Sequence, residues 1–252
     1  MAITKVTSAL LNSTALTSKA FGTSSIMIGD DVTGTIDAAN YNTGVGVNVF
    51  NDLTTGDSNV AMGYGALTNN TTGGSNVAVG VNSLEANSTG SSNTALGLQA
   101  LDTNTTADEN TAVGFQSLFS NTTGNVNVAV GAAALADNTT GASNTAVGRE
   151  ALHANTTAPN NTAVGKHALR ANTTGDTNTA VGKDSMLVNT TGTNNTALGT
   201  RTLQANTTAA NNTAVGDLAL STNTTGTQNV AVGNGSLKVN TTANNNTALG
   251  YL

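Results

Sequence analysis

Hydrophobic and polar positions recur along the chain with a period of seventeen residues. Glycine stands at 46, 63, 80, 97, 114, 131, 148, 165, 182, 199, 216, 233 and 250, and no insertion or deletion breaks the series. Val, Leu or Met precedes each of these glycines, as in Met62, Val79, Leu96 and Val147, and Asn stands four residues before it, as in Asn42, Asn76, Asn144 and Asn246. Four residues after the glycine comes a large apolar side chain: Phe50, then Leu67, Leu84, Leu152 and their equivalents, with Met186 once. From the second unit onward another Asn follows three residues later, as in Asn70, Asn87, Asn155 and Asn240. The unit reads G-x-x-[AS]-L-x-x-N-T-T-[GA]-x-x-N-[TV]-A-V.

A strict period of this size marks a stacked array, and it outranks local propensity. Seventeen residues suit one coil of a parallel β-solenoid, with two short strands and two turns, whereas familiar helical repeats need about 33 residues. The fold class is therefore all-β, a parallel β-solenoid or β-roll of 17-residue coils. In N-[TV]-A-V-G, alternation puts the Val and the Thr or Val two places earlier on one face and Ala on the other. The expectation is that the Val face turns inward, so that each coil buries one Leu and one Val. The glycine takes the corner, where a positive φ or a close backbone approach is needed, and N-T-T-G makes the second turn. Stacking places Asn over Asn and Val over Val every ~4.8 Å, which makes a rod of roughly 58 Å. Asn76, Val79, Gly80, Leu84 and Asn87 in one coil, and Asn144, Val147, Gly148, Leu152 and Asn155 in another, are the repeat positions on which the stack is expected to rest.

The register reaches back to Ser25-Ile26-Met27-Ile28-Gly29, with Ile26 and Ile28 in the expected inward positions. Residues 25–41 read as a diverged capping coil, since a terminal repeat must hide an open face, and residues 42–252 as the repeat domain. Residues 1–24 show no register and read as an attachment segment, in which Ala9, Leu10, Leu11 and Leu16 suit a short amphipathic helix or pairing with other chains. Asn12, Ser13 and Lys19 interrupt the opening apolar run, so a signal peptide is not expected, and no run reaches membrane-spanning length. At the other end, Tyr251 and Leu252 are expected either to cap the tip or to leave it to another protein.

Composition narrows the chemistry. Only 9% of residues are charged, 3% are aromatic, Trp and Cys are absent, and Pro occurs once. Thiol nucleophiles, disulfides and Cys-type zinc sites are thereby excluded. Each coil has a thin core that cannot offset chain ordering alone, so contacts between chains are expected, most simply in a homotrimer about one axis. No basic residue lies between Lys19 and Arg149, a stretch with ten carboxylates, while from Arg149 onward six bases face four acids. Nucleic-acid binding needs clustered Lys and Arg and is not expected.

Candidate sites are few. His153 and His167 lie five and two residues after their glycines and so cannot form one metal-binding column. Asp30, Asp31 and Asp37 offer oxygen ligands for calcium but lack EF-hand or RTX spacing, so a polar cap is expected. Gly63-Tyr64-Gly65 resembles half a dinucleotide fingerprint, without the third glycine or a following helix. The N-T-T tracts match N-glycosylation acceptors at Asn70, Asn104 and Asn172, yet they read as turns. Adjacent pairs such as Thr139-Thr140 do not give the T-x-T of an ice-binding strand face. The positions after Gly, after Leu and before Asn vary, as in Arg149-Glu150, Lys166-His167 and Thr200-Arg201, and are expected to point outward. No catalytic, cofactor or metal residue is assigned, and no receptor contact is identified.

The segments Asn76-Val-Ala-Val-Gly80 and Asn229-Val-Ala-Val-Gly233 resemble repeats of YadA-type trimeric autotransporter heads, which are left-handed parallel β-rolls. The longer unit, Asn144 to Thr157, resembles repeats of tail fibres and related appendages of tailed phages, and Ile3 to Leu11 is similar to a fibre-protein start. The resemblance covers the chain from about Ser25 onward. It implies a homotrimeric, non-enzymatic virion fibre without cofactor or membrane insertion, joined to other virion proteins through residues 1–24 and meeting a host surface molecule. The alternatives are a bacterial surface adhesin, an ice-binding solenoid and a capsid-decorating fibre without a receptor. The unit is longer than usual head repeats, and no secretion signal or barrel anchor is read, which favours the virion.

Overall fold

A computed structural model describes residues 17–19, 25–29 and 38–251. Most of the expected attachment segment, including Ala9, Leu10, Leu11 and Leu16, and the Asp30, Asp31 and Asp37 group of the expected capping coil lie outside the described residues, as does Leu252. The rest is all-β. Strand β1 (Thr17–Lys19) pairs antiparallel with β2 (Ile26–Gly29), and β2 pairs parallel with β3 (Thr43–Gly46). From there one three-residue strand per coil continues in chain order, from β4 (Val60–Met62) to β15 (Thr247–Leu249), as a single sheet. Every residue pairs with its equivalent seventeen positions on, as Thr145 with Thr162 and Val147 with Val164. The protein is a parallel β-solenoid of 17-residue coils.

Each coil has one strand where two were expected. The Gly-to-Asn arc is a wide turn held by coil-to-coil hydrogen bonds, such as Leu152 N to the Ala168 carbonyl at 3.0 Å. Its path uses left-handed backbone at residues other than glycine: Leu152 has φ 51°, Glu150 55° and Ser143 59°, and the equivalent positions of other coils repeat these values. Such a residue costs about 1–2 kcal/mol, which the coil-to-coil bonds and the burial of Leu152 must offset. At the strand-ending corner glycine is required. Gly148 has φ +132°, and a Cβ there would lie 2.7 Å from the Gly165 carbonyl group of the next coil.

The inward strand face carries Ala, which corrects the expected Val core. Ala61, Ala78, Ala146, Ala163 and their equivalents up to Ala231 are fully buried, whereas Ile26, Val60, Met62 and Leu96 are exposed. The reason is cross-section. The interior is filled by the Leu column from the opposite wall, for example Leu84 and Leu152, and by small residues such as Ser83 and Ala151, all fully buried. The first coil demonstrates the fit. Gly44 replaces Ala where Val49 and Phe50 replace a small residue and Leu, and a Cβ on Gly44 would come 3.0 Å from Val49 Cγ1 and 3.1–3.2 Å from the Phe50 ring. A larger side chain on one wall thus demands a smaller one on the other, and a Val in place of Ala would overfill the coil.

Candidate functional site

Two inward columns of asparagine hold the coils together. In the first, from Asn42 to Asn246, each Asn Oδ1 accepts the backbone N–H of the Asn seventeen residues later, at 2.8 Å for Asn42 to Asn59 and 2.9 Å for Asn144 to Asn161. The Ser25 hydroxyl oxygen continues the column below by accepting from Asn42 N at 3.0 Å. In the second, Asn70 to Asn240, the amides bond to one another: Asn87 Nδ2 donates to Asn70 Oδ1 at 2.8 Å, and Asn155 Nδ2 to Asn138 Oδ1 at 2.9 Å. In most coils the two columns converge on one carbonyl; Asn110 Nδ2 is the exception among the described residues and reaches no partner. Ala158 O accepts from Asn144 Nδ2 at 2.9 Å and from Asn155 Nδ2 at 3.0 Å. Leu53 occupies the second-column position in the first coil and is fully buried, so an apolar plug underlies Asn70.

The repeat positions read from the sequence fall into two groups. Asn76, Leu84, Asn87, Asn144, Leu152 and Asn155 are fully buried, and Gly80 and Gly148 form the corners. Val79 and Val147 lie on the outward strand face, half-buried, with no inward role. The acceptor-like Asn70, Asn104 and Asn172 are fully buried, and each side-chain nitrogen donates to a backbone carbonyl, so these amides are structural in the folded chain. The first Thr of each N-T-T tract bonds upward, as Thr139 Oγ1 does to the Thr156 carbonyl at 3.0 Å. The second Thr is exposed.

Outside, the sheet carries two columns without a charge from Thr43 to Leu249: Thr or Val first, then Val, Leu or Met. A third column follows the corner glycine. Val47, Tyr64, Val81, Leu98 and Phe115 are 43%, 54%, 45%, 44% and 49% exposed, Ala132 comes next, and then the column turns cationic at Arg149, Lys166 and Lys183. This switch went unread in the sequence. Reading the residue after each glycine down the chain is the signal that finds it, and it also absorbs Gly63-Tyr64-Gly65 as a corner and its outward neighbour.

Beside the cationic stretch lies a charged cluster. Glu150 Oε2 accepts from Arg170 Nε at 2.7 Å and lies 3.6 Å from His167 Nε2, while His167 Nδ1 is 3.1 Å from Asp184 Oδ1. Burial pushes the Glu150 pKa upward, but the hydrogen bond and charge of Arg170, reinforced by Arg149, outweigh this and hold it below the usual carboxylate range. Farther down the rod Asp102 is raised, by burial first and the neighbouring Glu85 charge second, against a hydrogen bond from Gln99. His153 stands apart from His167 and pairs with Asp137 at 3.4 Å. Among the described residues no group of three His, Cys, Asp or Glu could hold a metal ion, and no helix is long and apolar enough to cross a membrane. At the last described coil, Ser236, Leu237, Ala248, Leu249, Gly250 and Tyr251 line a shallow depression. Tyr251 is 84% exposed and does not cover it.

Comparison with known proteins adds no relative: no protein-family model, no curated protein and no solved structure matches the chain. What fold and surface define is a repeat protein of the parallel β-solenoid class, inwardly uniform and outwardly graded along its axis.

Proposed function

We propose that the chain is a structural, non-enzymatic fibre protein of a tailed phage virion, assembled as a homotrimer and exposed for attachment to the host cell. Residues 1–24 join it to other virion proteins, and the rod carries the outward columns toward a host surface molecule. The observation that supports this reading best is the contrast between walls. The inward columns of Asn, Ala and Leu scarcely change over twelve coils, while outward positions such as Phe115, Arg149 and Thr200 change freely. A chain selected for a stiff spacer with a variable exterior has this distribution, and a catalyst, which needs one converging cleft, does not.

Electron microscopy of the source particle, with an antibody against the rod, tests the proposal. Label on tail or head appendages is expected. Label confined to the surface of bacterial cells would replace the virion with a bacterial adhesin, and label on capsid fibres of particles that still adsorb after antibody treatment would remove the attachment role.

Ice binding has one observation in its favour: outward Thr on successive strands, as at Thr145, Thr162 and Thr179. Met62, Leu96 and Leu198 interrupt that surface with larger apolar groups, and absence of thermal hysteresis in the purified protein is expected.

A further inference from the structure

The third outward column changes character halfway along the rod while the two strand columns beside it do not. From Val47 to Phe115 its five members are large, apolar and about half exposed, one in every coil. With the strand columns, and just past the corner glycine, they make three outward columns, as in Val77, Val79 and Val81 or Thr94, Leu96 and Leu98. Beyond Ala132 the strip narrows to two columns, flanked by Arg149, Lys166 and Lys183 and then by Thr200, Asp217 and Asn234.

We infer that this proximal strip, widened by Tyr64, Val81, Leu98 and Phe115, is the surface through which one copy of the chain docks on a second copy. Spacing selects the occupant. The strip presents a row of side chains every ~4.8 Å over many coils, and only a surface of the same pitch stays in step with it along that length. A second copy has that pitch, whereas a globular partner would match a few coils at most. Area agrees. The five proximal coils alone are too short for a stable interface, so the contact runs on along the two strand columns: thirteen strands give a band of roughly 60 Å by 10 Å, and the third column, over its five coils, brings the band to roughly 700 Å² per partner, near the 800 Å² of a stable interface. The missing charge agrees too, because the centre of an interface is depleted of charge and enriched in aromatic residues. Beyond Ala132 the third column is polar, with Arg149, Lys166, Lys183, Thr200, Asp217 and Asn234, and lies at the rim of the band, where its charges stay in water.

The inference rests on the reading of the chain as one member of a multi-chain fibre, and its test separates the two. Sedimentation velocity on the full-length protein over a concentration series is compared for wild type, Leu98→Asp/Phe115→Asp and the distal control Lys166→Asp/Lys183→Asp. Far-ultraviolet circular dichroism verifies the fold of each. A Leu98→Ala/Phe115→Ala variant provides the milder change if the charged one does not fold. Wild type is expected to associate, the proximal variants to weaken association at least about 30-fold, and the distal control to change it less than about threefold. A monomeric wild type, or an oligomer indifferent to the proximal variants, overturns the inference. An oligomer sensitive at Leu98 and Phe115, but absent from the source particle, upholds the seam and removes the virion function alone.

Discussion

Removing one amide from the middle of the first asparagine column tests the stacking argument directly. In Asn144→Ala the Ala158 carbonyl keeps its bond from Asn155 at 3.0 Å, but Asn161 N–H loses its acceptor, Asn144 Oδ1 at 2.9 Å, in a place closed to water. An unpaired buried donor costs about 1–3 kcal/mol, and the space left by the carboxamide adds to it, so a loss of about 2–4 kcal/mol is expected. Guanidinium unfolding followed by circular dichroism, at one fixed protein concentration because association adds to apparent stability, measures it. Hydrogen exchange should localise the loss to the coils around Asn127, Asn144 and Asn161. Asn144→Asp should be worse at neutral pH, since a buried carboxylate would face the Ala158 carbonyl, and should recover on acidification as the raised pKa of that group is crossed. The same Ala change at Asn246, part-buried in the last described coil, should cost less than about 1 kcal/mol. If Asn144→Ala lies within about 0.5 kcal/mol of wild type, the columns are passengers and coil-to-coil backbone bonding alone carries the stack.

Gly148→Ala should destabilise by at least about 3 kcal/mol, because φ +132° and a Cβ 2.7 Å from the Gly165 carbonyl leave no relaxed position; a shift in the unfolding midpoint measures this. The acid limb of stability should depend on Glu150. Its folded pKa is depressed, so its contribution is complete above the ordinary Glu pKa and disappears as pH falls through the folded value. Glu150→Gln should therefore flatten that limb in unfolding experiments across pH. Asp102 acts in the opposite sense: its raised pKa makes the ionised form a penalty at neutral pH that acidification relieves, so Asp102→Asn should raise the midpoint at pH 7.

Period and fold class are legible in the sequence because they need only identity at seventeen-residue spacing, which Gly46 to Gly250 supply without exception. The direction of the strand face is not. Hydrophobicity ranks Val above Ala, and alternation assigns them to opposite faces without saying which face is the interior. The answer depends on how much of the lumen the opposite wall already fills, which emerges from the Gly44 and Phe50 exchange against Ala78 and Leu84. The left-handed backbone at Leu152 and Glu150 is equally hidden, since neither residue type favours φ near +55° and only the closing of the coil imposes it. The asparagines stand between these cases. Their phase predicts a stack, but their complete burial follows only from what an amide can do: Asn144 donates to Ala158 and accepts from Asn161 at once, which an ionised Asp, an acceptor only, could not do.

The choice of Ala for the interior links packing to assembly. Because the lumen has no room for Val, each strand turns its larger residues outward, and a chain that stacked only upon itself would expose Met62, Leu96 and Leu198 to water along its whole length. A charge-free strip of that extent, with a continuous column of Val, Leu and Met beside one of Thr and Val, is unusual on an isolated protein and ordinary at an interface. Inward, Gly44 opposite Val49 and Phe50 shows that the coil's cross-section admits no further bulk. Outward, Leu98 and Phe115 place large apolar side chains about half in water. On the proposed association of copies, the side chains that cannot enter the narrow coil are the ones that would meet a neighbouring copy.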